Sequence, residues 1–299
     1  MTEKLTPIER ALVAAAAMSV PDARRVLMLI CQGGMTMNAP RGTSPGDEHY
    51  AKREKFIKRI KSAADRVLNY ARHETLRNTE RHFRETGLKS AEEDQPKTTA
   101  ARITFDKTLL GEELAAAVRD EQEQALQTAG QQLYDEVGRD DPFKIPDKQA
   151  IDFLDTRENL LAGASDDLHR EVMNEIQDGL NAGDTRKQLM DRINAAFDGI
   201  SSGRAETIAN TETAAAFNFA RDKAMRKAGV QYKKWLFSQS PLIKEHRPTH
   251  VEAGGQTVPV DEPFDISGVK FMHPGDDSLG AGPEDIINCH CVAIPTDKP

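Results

Sequence analysis

Apolar side chains recur every three or four residues along most of the chain beyond residue 47, which is the period of an amphipathic α-helix. The segment from Glu48 to about Gly87 has the most regular version of this pattern. Its apolar positions are Ile57, Ile60, Ala64, Val67 and Ala71. So narrow a heptad stripe predicts one long helix that contacts another helix along a line, rather than entering a broad core.

The middle of the chain predicts further helices. One is expected from Gly111 to Val137. From Asp147 onward, residues that favour helix starts alternate with glycines that favour helix ends. Three short helices are therefore expected, ending at Gly163, Gly183 and Gly199. Asp184 or Thr185 is expected to cap the third.

The pattern changes in the last hundred residues. A helical run begins at Arg204 and is expected to end at Gly229, because glycine is common at helix C-caps. Apolar and polar residues then alternate over Val230–Phe237, as in a β-strand. Gly254 and Gly255 indicate a turn before a second strand. We predict a mainly α protein, with helical N-terminal and middle regions and a small C-terminal α+β domain.

These patterns divide the chain into five parts. They are residues 1–47 (N-terminal helices and a linker), 48–90 (the long basic helix), 91–146 (an acidic linker and a helix), 147–200 (a helical lead-in) and 201–299 (the α+β domain). In the first part, the run Ala11–Val20 is similar to a signal-peptide core. It is too short to span a bilayer, and Glu3 and Glu9 precede it. Two short helices starting at Pro7 and Pro21 are the prediction, and no membrane partner is expected.

Charge is unevenly distributed along the chain. The net charge of -8 argues against a general nucleic-acid binder. Residues 51–90, however, carry 12 Lys and Arg against 5 Asp and Glu, whereas residues 91–200 carry 12 against 25. A basic segment next to an acidic one indicates different partners for the two parts.

The positive charge of this helix suggests two kinds of negatively charged partner. It could bind the phosphates of double-stranded DNA without sequence preference, or an acidic protein surface. The alternative is a solvated helix whose stripe pairs with another helix of the same chain or of a second copy. The residues that would make the contact are Lys52, Arg53, Lys55, Lys58, Arg59, Lys61 and Arg66.

The cysteines and one histidine suggest a metal site. Cys31, Cys289 and Cys291 do not form a disulfide framework, and their number fits a reducing compartment. Cys289, Cys291 and His250 have the donor types of a structural zinc site and are predicted to lie close together. His246, His273 or His290 could supply a fourth ligand. The alternative is that both cysteines are small buried residues and that His250 binds backbone.

An enzyme is the competing interpretation. The sequence His250-Val251-Glu252 followed by paired cysteines is similar to the zinc deaminase pattern, although the cysteines are one residue apart and Asn288 replaces the expected proline. Arg247 and His250 could also belong to a metal-dependent hydrolase acting on nucleic acid. No dense carboxylate cluster accompanies them in the sequence.

An ordered set of motifs in the last third of the chain resembles one family, the Mu-F-like phage minor head proteins, also called phage head morphogenesis proteins. The matching residues are Arg204–Glu212 (RAETIANTE), Trp235, Arg247 with His250, Gly255 with Phe264, and Asn288–Cys291 before Pro295. The resemblance extends more loosely back to Leu168 and does not include the first 140 or so residues.

The resemblance implies a virion protein present in few copies inside the capsid at the portal vertex, and in the host cytoplasm during assembly. It would act in head morphogenesis and in DNA packaging or delivery. Its partners would be the portal protein and other head proteins, and it would not be an enzyme. Some family members carry appended toxin domains, and none is expected after Pro295 here.

The resemblance also marks signature positions with structural roles. These are Arg204, Thr211, Glu212, Trp235, Arg247, Gly255 and Asn288. Arg204 and Glu212 are expected to form a buried polar network that joins their helix to the loop of Arg247 and His250, because buried charges need partners. Trp235 is expected to pack against the helix that begins at Arg204.

Overall fold

Five helices make up most of the fold. In chain order they are α1 (Pro45–Thr86), α2 (Pro96–Ile103), α3 (Lys107–Glu136), α4 (Asp147–Asn181) and α5 (Arg186–Ala228). The computed structural model describes residues 45–86, 96–238 and 246–297. The two N-terminal helices and the linker predicted before residue 45 lie outside the described residues.

The last helix and its ends agree with the sequence signals. The Thr185 side chain accepts a hydrogen bond from the Gln188 backbone, and the Gln188 side chain accepts one from the Thr185 backbone, which forms a capping box. Gly229 ends the helix with a φ of 74°, a left-handed conformation that glycine adopts at little cost. The predicted caps at Thr185 and Gly229 are confirmed.

The predicted helix ends at Gly163 and Gly199 are wrong. Both glycines lie inside continuous helices, α4 and α5, of 35 and 43 residues. A Cβ atom at either glycine would meet nothing within 4 Å. A glycine at such a position costs only about 1 kcal/mol relative to alanine. The buried stripe of each helix continues past its glycine, and packing outweighs that local cost.

The helix α1 lies in the core, contrary to the narrow contact line predicted for it. Its buried apolar side chains form a broad stripe that includes Phe56, Ile60, Leu68 and Phe83. The helix packs against α3 and α5, so its partner belongs to the same chain. The spacing rule found the buried face but underestimated its width, because Phe56 and Leu68 flank the predicted positions.

A small sheet follows α5. Strand β1 (Tyr232–Leu236) lies between β2 (Thr257–Pro259) and β5 (Val292–Thr296), and both pairings are antiparallel. A separate antiparallel pair joins β3 (Phe264–Ile266) to β4 (Val269–Phe271). The short helices α6 (Pro248–Glu252) and α7 (Pro283–Ile286) complete this region. The predicted fold class, mainly α with a small C-terminal α+β part, is confirmed.

One cluster of buried apolar residues connects the sheet with the parts of the helices that lie beside it. It contains Phe56 of α1, Leu133 of α3, Phe217 of α5 and Trp235 of β1. A second core cluster fills the rest of the bundle. The predicted boundary at residue 200 therefore falls within α5, a helix that takes part in both clusters. None of the described helices is long and apolar enough to cross a membrane.

Trp235 is fully buried, as predicted. Its ring makes edge-to-face contacts with His250, Phe264 and Phe271, at centroid distances of 5.4, 5.2 and 5.8 Å. The aromatic partners of Trp235 thus come from α6 and from the β3–β4 pair. Phe219, an aromatic residue of α5, instead stacks on Phe153 of α4 at 4.5 Å.

Replacing Trp235 with alanine should lower the free energy of unfolding by about 3–5 kcal/mol, because it removes the largest buried ring of this core. Denaturant unfolding of the full chain measures the change. Tyr70→Ala is the control, since that ring is 48% exposed. Equal effects of the two substitutions would contradict the assigned core.

Candidate functional site

His250, Cys289 and Cys291 come together in the C-terminal region, and their predicted proximity is confirmed. The Nδ1 atom of His250 lies 3.6 Å from the Cys289 Sγ and 3.7 Å from the Cys291 Sγ. All three residues are buried, with exposures of 3, 1 and 4%. Among the residues that the structure describes, they form the one group of three or more His, Cys, Asp or Glu side chains whose ligand atoms converge.

The three histidines suggested as a fourth ligand do not join this group. The His290 ring contacts Tyr50 of α1, edge to face at 5.2 Å. The His246 ring contacts Phe237. The Nδ1 atom of His273 lies 3.2 Å from the Pro274 carbonyl oxygen.

Asn288 and α5 position the cysteine segment. Asn288 has a φ of 55°, a conformation that asparagine tolerates better than most residues. Its backbone N–H donates to the Thr211 hydroxyl at 2.9 Å. Farther along, the Asn218 amide donates to the Cys291 carbonyl oxygen at 3.0 Å and accepts from the Ala293 N–H at 3.2 Å. Two polar side chains of one helix thus fix the backbone on both sides of the cysteines.

Arg247 and Gly255 secure the neighbouring loops. The Arg247 guanidinium donates to the carbonyl oxygens of Glu284 and Ile287, which attaches the start of α6 to α7. Gly255 has a φ of 89°, which favours glycine, and its N–H donates to the Trp235 carbonyl oxygen at 2.8 Å. Both signature residues therefore make hydrogen bonds to backbone carbonyl oxygens that fasten neighbouring loops.

Glu212 lies at the centre of a buried polar network. Arg157 of α4 donates to both of its carboxylate oxygens, at 2.8 and 2.7 Å, and Gln122 of α3 donates at 2.8 Å. Burial is the largest single influence and lowers the pKa of Arg157, but the charge of Glu212, the hydrogen bonds to Glu212 and the charge of Asp277 together outweigh it, so the net effect raises the pKa. This network joins α3, α4 and α5.

The predicted link from Arg204 and Glu212 to the Arg247–His250 loop is wrong. Arg204 donates to the Ala164 carbonyl oxygen at 2.9 Å and to Glu171 at 2.8 Å, both on α4. Both signature charges thus connect neighbouring helices. Their helix instead reaches the C-terminal loops through Thr211, which accepts from Asn288.

The two thiols affect each other's titration. A hydrogen bond with Cys291 is the largest influence on the Cys289 thiol, and together with the interactions with His250 it outweighs burial and lowers the pKa of that thiol well below its usual range. Burial raises the pKa of the Cys291 thiol. The pair therefore loses its first proton easily and its second with difficulty, as expected for two coupled acids.

Arg53 was expected to contact DNA, and its position contradicts that expectation. The side chain is 2% exposed, and its Nη2 atom donates to the His290 carbonyl oxygen at 2.8 Å. Arg53 lies four residues before Ile57, in register with the apolar stripe of α1. That register places it on the buried face and could have identified it from the sequence.

Among the other basic residues predicted to contact DNA, three pair with acidic residues of neighbouring helices. Lys52 pairs with Glu136, Arg59 with Glu121 and Lys61 with Glu206, at 3.5, 3.3 and 3.2 Å. These three contacts join α1 to the acidic helices α3 and α5. Much of the uneven charge seen in the sequence is thus neutralised inside the fold.

Six further basic residues form an exposed stripe on α1. Lys55, Arg66 and Arg77 are eleven residues apart, which is close to three helical turns, so they lie along one face. We call this face the outer stripe; its residues are Lys55, Lys58, Arg66, Arg77, Arg81 and Arg84. From Lys55 to Arg84 it extends about 44 Å at the α-helical rise. Half of these residues lie beyond the predicted set.

The deaminase interpretation does not fit the geometry. In that pattern the glutamate acts beside the metal. Here His250 is buried whereas Glu252 is exposed at the end of α6. Glu252 therefore faces solvent, away from the centre that His250 and the cysteines form.

A second buried charge pair escaped the sequence analysis. Lys233 of β1 is fully buried and donates to Asp222 of α5 at 3.1 Å and to the Met272 carbonyl oxygen at 2.6 Å. Burial lowers the pKa of Lys233. The strand alternation places Lys233 on the same face as Trp235, which was the available signal. Arg157 could have been found similarly, since it follows the buried spacing of Leu154 and Leu161.

A groove lies beside the signature residues. It has a volume of about 820 Å³ and lies between α4, α5 and α7. Its lining residues include Arg204, Thr211, Ile286 and Ile287. Ile287 is 39% exposed, so this groove presents an apolar side chain to solvent.

Breaking the Arg157–Glu212 pair should destabilise the protein strongly. Arg157→Met leaves the carboxylate of Glu212 buried without its partner and should lower the free energy of unfolding by about 3–5 kcal/mol. In the double variant, Glu212→Leu also removes this unpaired buried charge and should restore most of the lost stability. Denaturant unfolding measures both variants.

The control is Lys148→Ala, which removes an exposed pair with Asp152 and should change stability little. A double variant that is no more stable than Arg157→Met would refute the assigned role of the pair.

Comparison with known proteins gives a family match in the C-terminal part of the chain and two partial matches to curated proteins. The model of the family "Phage Mu protein F like protein" matches residues 170–294. The chain is 28% identical over 181 residues to the uncharacterised protein YqbB of Bacillus subtilis, covering 58% of this chain and 57% of that protein. It is 33% identical over 133 residues to the NAD(+)–arginine ADP-ribosyltransferase EFV of Enterococcus faecalis.

The match to that transferase covers 43% of this chain and 26% of the transferase, so this chain spans less than two thirds of either relative. No solved structure matches. The family match includes every signature residue from Arg204 to Cys291. The resemblance to the Mu-F-like phage head morphogenesis proteins that the sequence motifs indicated is therefore confirmed over residues 170–294.

Proposed function

We propose that this protein is a minor head protein that binds the portal of its phage from inside the capsid and acts in head assembly and in DNA packaging or delivery. The observation that carries the proposal is the structural use of the family's signature residues. Arg204, Glu212, Arg247 and Asn288 all fasten helices and loops to one another. They build a rigid surface, and none of them surrounds a reactive centre that is open to solvent.

The groove beside the signature residues supports an assembly role. Its wall combines the charged Arg204 with apolar side chains at the end of α7, namely Ile286 and the partly exposed Ile287 that follows it. Protein interfaces of this kind bury an apolar centre inside a polar rim. We assign the groove to the portal protein, and other head proteins would bind elsewhere on the surface.

Co-expression of the full chain with the portal protein of the same phage tests this assignment. The chain should co-purify with the portal oligomer. Ile287→Arg should reduce its retention at least tenfold, because a charge would enter the apolar part of the interface. Ile151→Arg is the matched control, since Ile151 is also exposed, at 49%, but lies on α4 outside the groove lining.

The outcomes separate the protein's role from the surface assigned to it. A wild-type chain that the portal does not retain would contradict the portal assignment. Equal retention of both variants would leave portal binding in place and refute the groove as its surface.

A second proposal concerns duplex DNA. The outer stripe of α1 carries six exposed Lys and Arg residues over about 44 Å, more than one turn of the double helix. Such a ridge can follow phosphates without reading bases. An acidic protein surface is the alternative partner, and both fit the stripe by charge complementarity.

Binding of the full chain to duplex DNA should weaken steeply between about 50 and 200 mM salt, because each phosphate contact releases counterions. Replacing Lys55, Lys58, Arg77 and Arg81 with glutamate should abolish binding. The control carries the same change in net charge on other helices, at Lys97, Lys148, Arg170 and Lys187. Binding that survives the first set, or is lost equally in the control, would exclude the outer stripe as the contact.

A further inference from the structure

The geometry of His250, Cys289 and Cys291 points to a metal centre, and we infer that these three side chains bind one zinc ion. Thiolate sulfur and imidazole nitrogen are the donors that zinc prefers, and they differ from the oxygen donors that magnesium and calcium require. The inference is independent of portal binding, since it concerns what holds the C-terminal region together.

The distances match a tetrahedral centre. Zinc–sulfur bonds of about 2.3 Å and zinc–nitrogen bonds of about 2.0–2.1 Å place each sulfur about 3.5–3.6 Å from the nitrogen at the tetrahedral angle. The observed separations from His250 Nδ1 are 3.6 and 3.7 Å. A hydrogen on Nδ1 could point at only one sulfur, whereas an ion between the three atoms accounts for both short distances.

Hydrogen bonds from neighbouring elements hold both segments that carry the ligands. His250 lies on α6, whose first turn begins with Pro248 and is fastened to α7 by Arg247. The cysteines occupy the segment that Thr211 and Asn218 of α5 hold by its backbone. The fold thus brings together donors 39 and 41 residues apart, and it fixes each segment through contacts that do not use the donor atoms.

Two side chains near the sulfurs, Arg53 and Trp235, have buried donors without partners. Within the described structure, no hydrogen-bond partner is found for Arg53 Nε and Nη1 or for Trp235 Nε1. Arg53 donates a hydrogen bond to the carbonyl oxygen of His290, the residue between the two cysteines. Buried donors without partners are costly. Zinc-bound thiolates carry negative charge and accept N–H groups from their surroundings, which accounts for a guanidinium and an indole at this place.

The described residues supply three protein ligands, and no fourth His, Cys, Asp or Glu side chain among them lies with these three. The ligands are nearly completely buried, which limits access for a macromolecular substrate. We therefore assign the ion a structural role, in which it ties α6 to the start of β5.

Metal content and cobalt spectroscopy of the full chain test the inference. The wild-type chain, expressed with zinc and purified without chelators, should hold one zinc ion per molecule. After zinc is removed, Co²⁺ should produce the visible absorption of a tetrahedral site and the near-ultraviolet bands of cobalt–thiolate bonds. Cys289→Ser and Cys291→Ser should each lose zinc and weaken the thiolate bands.

Two variants serve as controls and should keep both zinc and the bands. Cys31→Ser removes the remaining cysteine, and His290→Asn removes the imidazole between the two ligands. Misfolding of a ligand variant does not affect the measurement on the wild-type chain. A wild-type chain that contains little zinc and gives no cobalt–thiolate absorption would overturn the inference, and so would loss of both signals in Cys31→Ser.

Discussion

The ion pair between Glu212 and Arg157 is the constraint on which the arrangement of the helices depends. Two charges with almost no contact to water are tolerated only when each meets its partner in good geometry, and here the guanidinium contacts both carboxylate oxygens. A shift of α4 along α5 by a fraction of a turn would leave both buried charges without a partner. The pair, with Gln122 from α3, therefore fixes the relative position of three helices that apolar packing alone would allow to slide.

That fixed position extends to the C-terminal loops through α5. Thr211 lies next to Glu212 in the helix and holds Asn288, and Asn218 holds the backbone around Cys291. One continuous helix thus carries the ion pair on one face and the supports of the cysteine segment along its length. The signature residues thus share one structural role, which is to fix the distances between elements of the fold.

Much of this could be predicted from the sequence, and the failures have identifiable causes. Helical periodicity located every long helix, and the alternation around Trp235 located the central strand. Glycine was overvalued as a stop signal, because Gly163 and Gly199 face open space and leave the packed faces intact. Charge was misjudged for the opposite reason. Arg53, Arg157 and Lys233 have apolar spacing, but their residue types suggested solvent, and only the three-dimensional fold supplies their partners.

The contact between Arg53 and His290 joins residues 237 positions apart, near the two ends of the described chain. During synthesis α1 emerges from the ribosome long before the segment of His290. The buried guanidinium of Arg53 therefore lacks its carbonyl partner until residue 290 has been added, although α1 can already pack against α3 and α5. A polypeptide interrupted before residue 290 cannot form this contact, so synthesis past that residue is needed to satisfy a buried charge of the first described helix.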